Sequence, residues 1–200
     1  MPVHAPTQGG DYWLFTAIGL YPEARPEKVK QETHQIGFGV GATVPLWKEF
    51  SVNLMLNAGE QNYNVCPGLT FYIPTGNYKM PVIFNARYQL AKEYDWFDGE
   101  GMGVAVQAGT YLYSNDKSSM FLMTGFGWGT ANDWDEDPNV RQNVHVDGNG
   151  WCILNNIGYS LILSPKASFN LETSIIYQYS NYDQIGRWAF SPNVGIMFKF

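Results

Sequence analysis

Hydrophobic and polar residues alternate along most of this chain with a period of two. In segment 33–44, His34, Ile36, Phe38, Val40, Ala42 and Val44 occupy one set of positions, and Thr33, Gln35, Gly37, Gly39, Gly41 and Thr43 the other. Successive side chains of an extended strand point to opposite faces, so this period predicts a β-strand with one apolar face and one small, polar face. The same alternation recurs in segments 50–59, 80–90, 102–112, 120–130, 151–163 and 169–179. It is weaker in 11–21, where both faces are apolar. In 65–73, Pro67 cannot donate a ladder hydrogen bond and predicts a bulge or a late strand start. The closing stretch, 186–200, sets Phe190, Pro192, Val194, Ile196, Phe198 and Phe200 against Ala189, Ser191, Asn193, Gly195, Met197 and Lys199.

About ten strands result, and the links between them differ in kind. Segments 45–49, 74–77, 114–117 and 164–167 are short turns, whereas 22–32, 91–101 and 131–150 are longer, charged or aromatic connections, the last the longest polar insertion. An even number of strands with short turns at one end and longer loops at the other is the plan of a closed antiparallel up-and-down transmembrane β-barrel. Ten strands are expected, with eight as the alternative. Residues 1–10 are expected to form an N-terminal periplasmic tail and 11–200 a single barrel domain.

What lies on each face sharpens this expectation. The apolar face carries aromatics near the strand ends: Tyr88, Trp128, Trp151, Tyr177, Tyr179 and Trp188 towards the long loops, and Phe50, Phe169, Phe198 and Phe200 towards the turns. Two such belts are the interfacial girdles of a wall that faces lipid. The opposite face is Gly, Ser, Thr, Asn and Gln, with Arg87, Glu172, Arg187 and Lys199 as a candidate polar network. A soluble barrel would place many Lys and Glu on its polar, outward face. Glycine and amides suit a narrow lumen, with Arg87 and Glu172 as a possible plug pair and side chains filling the interior.

Composition agrees without deciding. Aromatics make up 16% and charged residues 15%, and Gly occurs 21 times, while hydrophobic residues stand at an ordinary 45%. Mean hydropathy is −0.23 and no apolar run reaches the roughly 18–20 residues of a spanning helix, which excludes an α-helical membrane protein. Met1–Gly10 has neither the basic nor the apolar region of a signal peptide. Either this is a mature or recombinant form, or the membrane reading fails. A net charge of −6 with no basic stripe argues against a nucleic-acid partner.

The glycine-rich alternating strands and the closing run Val194-Gly-Ile-Met-Phe-Lys-Phe200 resemble the small outer-membrane β-barrels of Gram-negative bacteria, the broad OmpA/OmpX/OmpW-like group. That resemblance implies residence in the bacterial outer membrane with both termini periplasmic. It also implies membrane lipids, lipopolysaccharide among them, as partners. In that group a terminal aromatic is read by the barrel-assembly machinery, a role that would fall to Phe200 and, behind it, Phe198.

Candidate chemistry is sparse. His4, His34 and His145 are the only histidines and lie in different parts of the chain, so a shared metal site is not expected. A lipid-A deacylase would need a lipid-facing His and Ser close together on one strand, and no such pair occurs. Asp133, Asp135 and Asp137 alternate as in calcium loops, but the glycine and distal glutamate of such loops are missing, which leaves them weak metal candidates. Cys66 and Cys152, four strands apart on the polar face, are expected as separate thiols, since a disulfide tolerates no more than about 7 Å between Cα atoms. No cofactor is expected. The expectation is a non-enzymatic outer-membrane barrel with a structural or surface-recognition role, which could be a subunit of an envelope complex with a protein partner. A narrow pore for small or apolar solutes is the alternative. A membrane-embedded hydrolase built on the loop acids and His145 comes third.

Overall fold

The computed structural model describes residues 11–22, 34–59, 62–75, 78–91, 99–137, 142–181 and 185–200. They form ten strands: β1 (Trp13–Pro22), β2 (His34–Trp47), β3 (Phe50–Gly59), β4 (Asn62–Thr75), β5 (Tyr78–Ala91), β6 (Gly99–Ser114), β7 (Ser118–Asp137), β8 (Gln142–Ser164), β9 (Ala167–Ser180) and β10 (Ile185–Lys199). Each pairs antiparallel with its neighbours in sequence, and β1 pairs with β10, so the sheet closes on itself. The alternating pattern, with tight turns between its repeats, produces this topology because closure removes the sheet edges that an open meander would leave unpaired. The segment 1–10, expected as a tail, lies outside the described residues.

The turns at one end are short for chemical reasons. Asn115 Oδ1 accepts hydrogen bonds from the backbone N–H groups of Lys117 and Ser118, both at 2.8 Å, which is the self-capping that makes Asn a turn residue. Lys48 and Glu49 alone join β2 to β3. Both ends of the barrel domain lie at this end, where the Phe200 N–H donates to the Tyr12 carbonyl at 3.0 Å.

Two expectations about strand extent need correction. Segment 131–150, read as the longest loop, is strand for most of its length: β7 runs to Asp137 and β8 begins at Gln142, with Asp137 opposite Gln142. The sequence there lacks the apolar/polar alternation of a half-buried strand. Backbone hydrogen bonding within a hairpin needs no apolar face, so periodicity gives no signal. Pro67 causes neither a bulge nor a late start. β4 begins five residues earlier, at Asn62, and its pairing with β5 keeps one register from Val65↔Tyr88 to Gly68↔Asn85, with the ladder interrupted only at Cys66 and Pro67. The missing N–H is thus tolerated locally, while the ladder to β3 runs through, with Leu54 opposite Pro67.

The inside–outside assignment follows the alternation. Ile18, Ile36, Phe38, Val104, Phe126, Phe190 and Val194 are exposed on the outer wall, whereas Ser51, Asn57, Thr70, Asn156, Ser174 and Ser191 are buried inside. One polar pair sits on the outer wall: Thr124 Oγ1 donates to Asn155 Oδ1 at 2.8 Å, across the β7–β8 ladder.

Candidate functional site

The lumen is the first place to look for function, and it is not uniformly polar. Phe15, Met55, Cys66, Phe121, Met123 and Met197 form a buried apolar cluster, with Trp13 and Tyr111 packed against it. Phe121 and Met123 have no exposed surface. These residues fall on the glycine-rich faces of β1, β3, β4, β7 and β10, where the prevailing small residues make room for them. A Cβ on Gly158 would come within 2.1 Å of the Phe121 ring, and one on Gly41 within 2.0 Å of the Phe15 ring. Each large ring therefore lies over a glycine of the neighbouring strand. Reading this face as glycine and amide understated it; Phe15, Met55, Phe121, Met123 and Met197 were its visible exceptions.

Beside this plug, β8, β9 and β10 present a polar wall. Ser160 Oγ donates to Asn170 Oδ1 and Ser174 Oγ donates to Asn156 Oδ1, each at 2.5 Å, and both are directly opposed pairs of the β8–β9 ladder. On the other side Asn53 Nδ2 donates to Thr70 Oγ1 at 2.5 Å. Gln107 is 1% exposed, and neither its amide nitrogen nor its amide oxygen has a hydrogen-bond partner. Cys66 and Cys152 are not joined in a disulfide, and Cys66 Sγ lies 4.0 Å from the Asn57 amide nitrogen.

Of the four charged residues expected to share a network, Glu172 and Lys199 have described side chains, and these two lie apart. Lys199 sits at the turn-end mouth, 2.7 Å from Asp11 and over the Trp13 ring at 5.9 Å. Glu172 lies on β9 opposite Asn193 of β10, six residues from Lys199 along that strand, or about 20 Å at strand rise. That distance separates Lys199 from any network around Glu172. The backbone of Arg87 pairs with Gly103 and that of Arg187 with Gln178; both side chains lie outside the described residues, and with them the expected Arg87–Glu172 plug pair.

Most of the aromatics expected as a girdle form one connected group at the loop end. Trp151 stacks on Tyr179 with centroids 5.5 Å apart, lies 5.6 Å from Tyr177, and stacks on Phe126 at 6.1 Å. Tyr177 reaches Trp188 at 5.0 Å. Trp128 is directly opposite Trp151 in the ladder, while Tyr88 stands apart on β5. Near the turns Phe50 contacts both Trp47, at 5.5 Å, and Phe71, at 4.7 Å. Phe198 and Phe200 are exposed at the turn end.

The other prominent feature is the β7–β8 hairpin. Beyond Gly129↔Gly150 it continues for eight paired rungs, about 26 Å at strand rise. β9 accompanies β8 only to Gly150, and β6 follows β7 only to Asp133. The last four rungs, with Trp134 opposite His145, have no third strand among the described residues. Asp133, Asp135 and Asp137 thus lie on an extended strand, not in a loop. The backbone there is extended, unlike a calcium loop, which curls its carboxylates round one point. Their side chains, and that of His145, lie outside the described residues. Elsewhere among the described residues no three His, Cys, Asp or Glu side chains gather as a metal site.

No protein-family model matches this chain, and no curated protein matches its sequence. Solved structures do match. The outer-membrane protease OmpT of Escherichia coli superposes with a TM-score of 0.59 at 7% identity, over 95% of this chain and 95% of that one. Neisserial surface protein A gives 0.53 at 8% identity, over 96% and 98%. The translocator domain of the autotransporter NalP from Neisseria meningitidis gives 0.53 at 11% identity, over 98% and 90%.

Proposed function

We propose that this chain, which has the fold of the bacterial outer-membrane β-barrels, is a non-catalytic resident of the Gram-negative outer membrane whose plugged barrel is an anchor and whose projecting β7–β8 hairpin serves surface recognition, alone or within an envelope complex. The observation that carries this reading is the filled lumen. Phe121 and Met123 are wholly buried in it, and Phe15, Met55 and Met197 close around them. A conducting barrel needs a continuous polar path, and an apolar plug opposes the entry of water and ions. The likeness to a protease, at 7% identity, carries the fold and not its chemistry.

In this reading the short turns and both termini lie on the periplasmic side and the hairpin on the cell surface, following the usual arrangement of such barrels. Phe200, exposed at the turn end, would be offered to the assembly machinery, and the aromatic groups at both ends would sit at the two lipid–water interfaces. Lipids, lipopolysaccharide included, would be its permanent partners, and an envelope protein its recognition partner. Planar-bilayer recording tests the plug: the wild-type barrel should show no stable conductance, and steady porin-like steps would overturn the proposal. The double variant Phe121→Ala with Met123→Ala should introduce small flickering currents, provided it still shows the heat-dependent gel shift of a folded barrel.

A further inference from the structure

The outer wall carries a recess at the seam where the barrel closes. The β1–β10 ladder ends at Gly19↔Asn193, because the next residue of β10, Pro192, has no N–H to offer Leu20. Ser191 takes over: its hydroxyl donates to the Leu20 carbonyl at 2.6 Å. On the outer face Pro192 lies directly opposite Thr173 of β9, which is in turn opposite Ile157 of β8. Two small side chains side by side, among Leu20, Ile157, Leu171 and Val194, leave a groove of about 640 Å³. The Thr173 hydroxyl is buried at this point and has no hydrogen-bond partner.

The groove extends from Met120 on β7 to Ile36 on β2, across six neighbouring strands, or about 24 Å at the usual strand spacing of about 4.8 Å. Its volume lies within the range of small-molecule sites, about 300–1,000 Å³. Its lining is almost wholly hydrocarbon along that length, which matches an extended hydrocarbon chain. The recess is also continuous with the apolar outer belt, where Leu14, Leu161 and Ile196 are exposed around it. In the membrane, an unfilled groove there would forfeit the dispersion contacts of its lining.

We propose that this groove is a preferred binding site for one acyl chain of a membrane lipid, held across the closing seam; the inference rests on the outer-membrane reading. The test is photolabelling. The full chain is reconstituted into phosphatidylcholine vesicles containing a trace of phosphatidylcholine with a diazirine in one acyl chain, and labelled residues are mapped by mass spectrometry. Labelling at Ile18, Ile157, Leu171 and Val194 should exceed that at Val104 and Val106 of β6 by threefold or more. Ile157→Trp, which fills the groove, should abolish the excess, and Val106→Trp should leave it unchanged. If Ile157→Trp fails to fold, Leu171→Trp serves instead. Equal labelling around a folded, reconstituted barrel would overturn the proposal, as would cross-links at these residues to a second copy of the chain. Failure of the chain to enter vesicles at all would instead refute the outer-membrane reading.

Discussion

At the scale of single residues, the interior is organised by opposing large and absent side chains. Phe121 over Gly158 and Phe15 over Gly41 fill the lumen at points where the neighbouring strand contributes no volume. Because Phe121 has no exposed surface, it has no room to withdraw. Gly158→Ala should therefore destabilise the barrel by about 1–3 kcal/mol, the usual cost of overpacking, read as a lower midpoint of urea unfolding in lipid vesicles. Gly103 is the contrasting case, since a Cβ there would meet its nearest neighbour at 3.3 Å. Gly103→Ala should change the midpoint far less. Seam residues follow another rule. Ser191→Ala removes the hydrogen bond to Leu20, and the expected loss is about 1 kcal/mol, near the net worth of one hydrogen bond. Faster amide exchange confined to β1 and β10 would show it; unchanged exchange there would refute the compensation for Pro192.

At the scale of elements, strands differ in what holds them. Those within the barrel wall have neighbours on both sides and a packed inner face. The outer part of the β7–β8 hairpin has backbone pairing to support it, and β6 only as far as Asp133. Replacing residues 134–145 with a tight Asn-Gly turn should leave the unfolding midpoint and the gel shift of the barrel unchanged, because among the described residues no third strand pairs with that part. If the hairpin serves recognition, the same deletion should abolish adherence of expressing cells to the partner surface. A large fall in barrel stability would show that the hairpin is structural. The ten strands were legible in the alternating pattern, including their order and which side of each faces outward, except for β1, whose two faces are both apolar in the sequence. The hairpin extension was not, since its polar residues carry no face preference for a period to reveal.

At the scale of the whole molecule, closure and filling act together. Ten strands enclose an interior that side chains can occupy, and here an apolar plug and a serine–asparagine wall share it. The Lys199–Asp11 pair, at 2.7 Å with both side chains partly exposed, ties the last strand to the residues just before the first. As an exposed pair it contributes little, on the order of 0–1 kcal/mol. Lys199→Ala should accordingly shift the unfolding midpoint by less than the Gly158→Ala change does, and by still less in high salt. A loss as large as that from Gly158→Ala would mean that closure depends on the ion pair and not on the ladder.

By itself, the sequence determined the strands, their alternation and the sorting of turns from loops, because these depend on each residue's neighbours two positions away. It also displayed the plug residues, as Phe15, Met55, Phe121, Met123 and Met197 on an otherwise glycine-rich face. Only the tertiary structure decided that these five meet. They come from four strands far apart in sequence, and the register that brings Phe121 over Gly158 is a property of two paired strands. The same holds for Lys199, which lies near Asp11 and not Glu172, and for the groove at the seam. There Thr173 and Pro192 become neighbours only because β9 and β10 pair in one register, and Leu20 joins them only because the barrel closes.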